Sequence, residues 1–133
     1  MANLLDRGSY MDCIVTVPAN TIFKEGLVLG CSTTANKLIP FGTKDVTQTQ
    51  TETGSTTQTA TYAENPEYVL IGNLINNTDK AVDMFGKVLC IGKVNAYALT
   101  FAKESDTIDS IGFLTKLKNN GILAKKIENH VEL

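Results

Sequence analysis

Residues 88–123, VLCIGKVNAYALTF followed by AKESDTIDSIGFLTKLKNNGIL, change their period halfway along, and that change decides the fold. Lys87 to Val94 alternates, with Val88, Cys90 and Gly92 against Leu89, Ile91 and Lys93, the two-residue period of a strand. Ala96 to Phe101 continues as an apolar, strand-like segment after Asn95. From Ile108 the period lengthens: Ile108, Ile111, Leu114 and Leu117 recur every three residues and share one helical face. Ser105-Asp106-Thr107 offers an N-cap, Asp109 adds negative charge to the first turn, and Lys116 and Lys118 complement the dipole in the last. Asn119-Asn120-Gly121 is a C-terminal stop, with Ile122 placed to fold back on the apolar stripe. The prediction is one α-helix over about 107–119 after a run of short strands.

Upstream, the chain reads as more strands. Asp12–Val17 alternates and is closed by Pro18. Leu27–Gly30 and Lys37–Phe41 form a predicted hairpin across a polar turn, and Phe23–Gly26 is a turn before it. Tyr68–Leu74 is a further strand, ending in the turn Asn76–Asp79. Residues 1–11 hold no period and read as flexible, so 1–17 is taken as an N-terminal arm able to form a strand at Asp12–Val17. The tract 43–61 is rich in threonine and glutamine, with Val46 its only aliphatic residue larger than alanine. Such a stretch buries too little apolar surface to order itself as core, and it reads as a surface insertion. Its alternating Thr47, Thr49, Thr51 and Thr53 nevertheless suit a two-sided polar strand, a flap that a neighbouring subunit could pair with. The organisation expected is an arm over 1–17, a single domain over 18–127, and a tail over 128–133. The class is α+β, β-dominated: a short-strand β-barrel or sandwich-like domain with one C-terminal helix.

Composition narrows the function. A chain of 133 residues with 43% hydrophobic side chains supports one packed domain. Twelve basic against fourteen acidic residues give a net charge of −2, which supplies no surplus to neutralise phosphates and speaks against nucleic acid. No apolar run approaches the roughly 20 residues of a membrane span, and the first residues lack the order of a secretion signal, so synthesis in the cytoplasm is expected. Cys13, Cys31 and Cys90 are too scattered for a metal motif and read as reduced, mostly buried thiols. His130, the single histidine, stands on the polar tail, where a fixed partner for acid–base work is not expected. The acidic residues show no ligand spacing and the glycines no phosphate-cradling pattern. Asn76-Asn77-Thr78 matches a glycosylation acceptor but reads as turn chemistry. The nine aromatic residues fall mostly within predicted elements, with core packing as their default role. No enzyme activity and no cofactor are expected.

Gly92-Lys-Val-Asn95-Ala-Tyr-Ala-Leu-Thr-Phe101, then Asp106-Thr107-Ile108 and a helix ending Leu117-Lys-Asn-Asn-Gly121-Ile122-Leu123, resembles the C-terminal half of the tailed-phage head decoration proteins, the lambda gpD-like capsid-stabilising family. Gly26–Gly30 before Lys37–Phe41 is similar to that family's first hairpin, and Tyr68–Asn77 to its next strand and turn. The likeness runs over about 20–123, apart from the threonine-rich tract, whose role does not carry over. The resemblance implies a homotrimer on the outer face of the expanded virion capsid, stabilising it against packaged-DNA pressure, with the major capsid protein as partner and no nucleic acid or membrane. It also implies an arm that adds to a strand of the shell protein; the matching residues are Asp12, Cys13, Ile14, Val15, Thr16 and Val17. The alternative from a different class is a surface-displayed adhesin or carbohydrate-binding module, presenting the threonine hydroxyls to sugars. Against it stands the absence of aromatic residues in that tract, Tyr62 just beyond it excepted.

Overall fold

A computed structural model of the chain describes residues 3–32, 36–42, 46–50, 56–60, 63–102, 106–110 and 112–127, with the backbone alone for 46–50 and 56–60. The elements are strands β1 (Arg7–Val17), β2 (Thr21–Phe23), β3 (Val28–Cys31), β4 (Leu38–Pro40), β5 (Val46–Gln50), β6 (Thr56–Ala60), β7 (Tyr68–Ile71), β8 (Leu74–Asn76) and β9 (Val82–Asn95), helix α1 (Phe113–Asn119) and strand β10 (Ile122–Lys125).

The main sheet runs β1-β4-β3-β7-β9, and β9 pairs back onto β1, so five strands close into a barrel. Strand β9 is the spine. Its antiparallel pairing with β1 runs from Arg7↔Lys93 to Val17↔Val82 and takes one whole edge. The other edge is shared in tandem by β7 (Val69↔Leu89 to Ile71↔Lys87) and by β10, parallel over Ile122↔Gly92 to Lys125↔Asn95.

Strands with apolar residues on both faces explain the unbroken hydrophobic runs of the sequence. Leu29, Leu70 and Val88 point into the barrel, where they meet Val15, Val17, Phe23, Leu27 and Leu38. Their neighbours Val28, Val69 and Leu89 point outward into a second core with Phe41, Val94, Leu99, Phe113, Leu117 and Ile122. Helix α1 closes this outer core: Phe113 and Leu117, four residues apart, are its buried face. Phe113 is flanked by Phe41 and Phe101 at centroid distances of 5.6 and 5.0 Å.

The β-dominated class and the single C-terminal helix stand as predicted, and so does the hairpin, with Leu29↔Pro40 and Cys31↔Leu38 in register. Several boundaries differ. Helix α1 begins at Phe113, because Gly112 sits at φ +76° and starts it without a side-chain cap. The predicted first turn is a hydroxyl-bonded loop instead: Ser110 Oγ accepts from Thr107 N–H and Thr107 Oγ1 from Asp109 N–H, satisfying donors a helix would need. Asp106, placed at the predicted start, lies buried seven residues before Phe113, and Asp109 pairs with Lys126 at 2.7 Å. The segment after Asn95 is no strand: Ala96–Ala98 forms a 3₁₀ turn, capped by Asn95 Oδ1 accepting from Tyr97 N–H. Ile122 opens β10 rather than only folding back on the helix.

The predicted strand Tyr68–Leu74 is broken at Gly72, φ +82°, into β7 and β8, and β8 pairs with the unpredicted β2. The turn after it holds: Asn76 is buried and its amide donates to the carbonyls of Val17, Pro18 and Lys80, which leaves no exposed nitrogen for a glycan. In the threonine-rich tract, β5 and β6 pair with each other, with Thr47↔Thr59, Gln48↔Gln58 and Thr49↔Thr57 in register. Strand formation there draws on the tract's own second half and needs no neighbouring subunit. The tail 128–133, with His130, lies outside the described residues, as do 51–55.

Candidate partner-binding edge

The arm expected over 1–17 is the place to look for a contact, and from Arg7 onward it is a strand of the barrel. Its main-chain groups find partners within the chain, along β9, before any other protein could supply them. The six residues expected to touch a shell protein divide accordingly. Val15 and Val17 are fully buried in the barrel core, and Val15 also pairs with Leu38 on the strand's second edge. Cys13, Ile14 and Thr16 are half-buried, and Asp12 is exposed opposite Lys87. Thr16 donates to Asp83 Oδ1 at 2.8 Å, and Lys37 pairs with the other oxygen at 2.6 Å. The lower half of β1 is therefore held from both sides. Val15 and Val17 cannot meet a partner without opening the barrel.

The upper half, Arg7 to Cys13, is different. β9 takes one edge, and among the described residues no strand takes the other. A row of main-chain donors and acceptors is left facing outward, the chemical basis of strand addition. Exposed apolar side chains accompany it: Tyr10 and Met11 on β1, and Ile91 on β9. Phe85, 76% exposed, stands directly across from Ile14 on the outer face. The default of core packing for aromatics thus fails for Phe85, Tyr97 and Tyr10, whereas Phe23, Phe41 and Phe113 obey it. Tyr10 is fixed by its surroundings: Lys87 Nζ lies 4.4 Å from the ring centroid, and the hydroxyl donates to the Asp6 carboxylate. That hydrogen bond pushes the Tyr10 hydroxyl pKa up, since ionisation would set two negative charges together.

The two strands meet closely at Gly8 and Gly92, which face each other in register with φ +148° and +155°. A Cβ on Gly8 would fall on the Ile91 carbonyl oxygen, and one on Gly92 on that of Arg7, so no other residue fits. Just below this point Ser9 pairs with Ile91 but Tyr10 with Leu89, which leaves Cys90 as the extra residue of a bulge. Its thiol donates to Ser9 O at 3.1 Å.

The three cysteines, distant in sequence, come to one end of the barrel around Tyr68. Cys13, Cys31 and Tyr68 line a cleft of about 280 Å³; Cys31, Tyr68 and Cys90 line an adjacent one of about 400 Å³. All are free thiols, and none is fully buried; Cys31 is exposed. A hydrogen bond to the Glu67 carboxylate, aided by burial, pushes the Cys31 thiol up to about 11. Burial chiefly raises Cys13. At neutral pH both are held as protonated, weakly nucleophilic thiols. Among the described residues no group of three His, Cys, Asp or Glu side chains is placed to hold a metal ion, and no helix is long and apolar enough to cross a membrane.

No family model, no curated protein and no solved structure matches the chain.

Little in the sequence marks Arg7–Met11 as an exposed strand, since RGSYM has no alternation. Its strand is set by pairing with β9, from Arg7↔Lys93 to Met11↔Val88, and no local pattern signals that.

Proposed function

We propose that the chain is a structural decoration protein of a tailed-phage head, binding the outer face of the expanded shell as a trimer and stabilising it against the pressure of packaged DNA. The observation that carries this reading is the open edge of β1 over Arg7–Cys13, in the segment through which the resemblance implies contact with a shell strand. The exposed Phe85 and its half-buried neighbour Ile14 support a further apolar contact, suited to a second copy of the chain. The partner is the major capsid protein, and the place of action is the virion surface.

Deleting residues 1–17 would be a poor test, since Val15 and Val17 belong to the core. Single prolines at Ser9, Tyr10, Met11 and Asp12 are better, because alternate N–H groups of an antiparallel strand face its two neighbours. Binding is measured by sedimentation with expanded, empty tailed-phage heads. The wild type is expected to bind in a fixed number per hexameric unit. Proline at a position whose N–H faces the open edge should abolish binding and leave thermal melting nearly unchanged. Undiminished binding by every folded proline variant would exclude strand addition here, and no binding by the wild type would overturn the reading itself.

A further inference from the structure

Where β1, β9 and β10 lie side by side, the chain gathers an excess of positive charge. Arg7 stands directly opposite Lys93 in the antiparallel pair, an arrangement that costs stability when the two charges have no counter-ion. Across β9, Lys125 pairs with Asn95, two residues on from Lys93 and so on the same face. All three cations line one open cleft of about 590 Å³. Among the described residues none of the three side chains is hydrogen-bonded or ion-paired; the two salt bridges there are Lys37–Asp83 and Lys126–Asp109. Asp6 also lines the cleft, its carboxylate accepting from the Tyr10 hydroxyl, so three cations there stand against one anion. A chain of net charge −2 thus concentrates a positive field in one concavity.

The rest of the lining is apolar: Leu5, Val94 and Ile127. Leu5 is held at φ +52°, unusual for a bulky residue, with its side chain 53% exposed. Its neighbours fix it there. Leu4 is buried and its carbonyl accepts from Asn95 N–H at 2.7 Å, while the Asn95 amide donates to Asn3 O and its oxygen accepts from Ile127 N–H. A single buried asparagine therefore sets both apolar walls of the cleft.

We propose that this cleft binds an extended acidic peptide segment of a partner protein, its carboxylates on Arg7, Lys93 and Lys125 and an apolar side chain against Leu5, Val94 and Ile127. Spacing supports a peptide. Neighbouring strands lie about 4.8 Å apart and two residues advance about 6.7 Å, so Arg7 and Lys125 stand about 12 Å apart on either side of Lys93, a span that carboxylates at alternate positions of an extended chain reach with their side chains. A nucleotide fits less well, because the lining offers no aromatic ring to stack a base. The proposal stands apart from the shell reading, since it concerns the chemistry of the cleft and not the open strand edge.

The test uses the full chain and a fluorescein-labelled peptide, Glu-Leu-Glu-Val-Glu-Leu, read by fluorescence anisotropy. Saturable binding is expected that weakens about tenfold or more between about 50 mM and about 0.5 M salt. Lys93→Glu and, separately, Lys125→Glu should each weaken it about tenfold, and the double variant should prefer a peptide with lysine in place of glutamate. Lys125 is exposed near the end of the described chain, so its variant tests the cleft even where Lys93→Glu melts early. Equal binding of the glutamine-substituted peptide, no saturation at millimolar concentration, or indifference to Lys125→Glu would each overturn the proposal. So would competition by inorganic triphosphate as strong as that of the peptide, which would mark a plain anion site.

Discussion

The two halves of β1 share one strand and one long partner, yet they face opposite demands. From Ile14 to Val17 the strand has neighbours on both edges at Val15, two fully buried valines, and the Thr16–Asp83–Lys37 clamp. From Arg7 to Cys13 it has one neighbour, exposed side chains, and a single point of close approach at Gly8 and Gly92. The lesson is that strand pairing and burial are separable. β9 orders the upper half through main-chain bonds while the barrel core claims only the lower. A segment ordered in this way keeps its outer edge available, and it loses less conformational freedom on meeting a partner than a free arm would.

The comparison can be broken first at Gly92. Alanine there would drive its Cβ into the Arg7 carbonyl and would have to hold a φ that side chains avoid. A loss of about 4 kcal/mol is expected in urea denaturation, at the upper end for a single substitution. A loss below about 1 kcal/mol would mean that the crossing gives way easily and that the upper half is not fixed to β9 there.

A smaller effect separates the halves directly. Val15→Ala removes two methyl groups from the barrel core and should cost about 2 kcal/mol, whereas Met11→Ala, four residues earlier on the same strand, should stay within about 0.5 kcal/mol. Equal costs from the two denaturation curves would erase the distinction between a structural and a presenting half.

How much of this was legible beforehand depends on which signal each element carries. The hairpin of β3 and β4 was readable because turn residues punctuate two apolar runs, and the spine because KVLCIGKV alternates. The alternation could not say that Val88 and Leu89 are buried on opposite faces of β9, one in the barrel and one under α1, since a two-sided core leaves the same apolar run as a short helix. The helix start misled because the Ser110 and Thr107 hydroxyls take the N–H groups of Thr107 and Asp109 in a loop, a local competition that spacing does not register. The site was half legible. Asp12–Val17 reads as a strand because it alternates, and only the resemblance implied that it awaits a partner; alternation is equally the mark of a strand already packed, as Val15 and Val17 are. The open edge and the cationic cleft arise from what lies beside Arg7 in three dimensions, Lys93 and Lys125, which no local pattern links.

The smallest effect expected is one of pH, and it bears on the lower half alone. The Lys37 ammonium beside Asp83, with the Thr16 hydroxyl, holds the Asp83 carboxyl below its ordinary value. A carboxylate whose pKa is lowered by folding stabilises the fold at every pH above its unfolded value, near 4, and that stabilisation is lost as the pH falls through the lowered folded value. Both partners are about two-fifths exposed, at 39% and 40%, so salt screens the pair and the contribution is modest. Asp83→Asn should therefore melt slightly below the wild type at pH 6, with the gap constant down to about pH 5 and closing below about pH 4. High salt should narrow the gap at pH 6 without moving the pH at which it closes by much. A gap that widens on acidification would show that the clamp joining β1 to β9 draws its stability from some other group than this carboxylate.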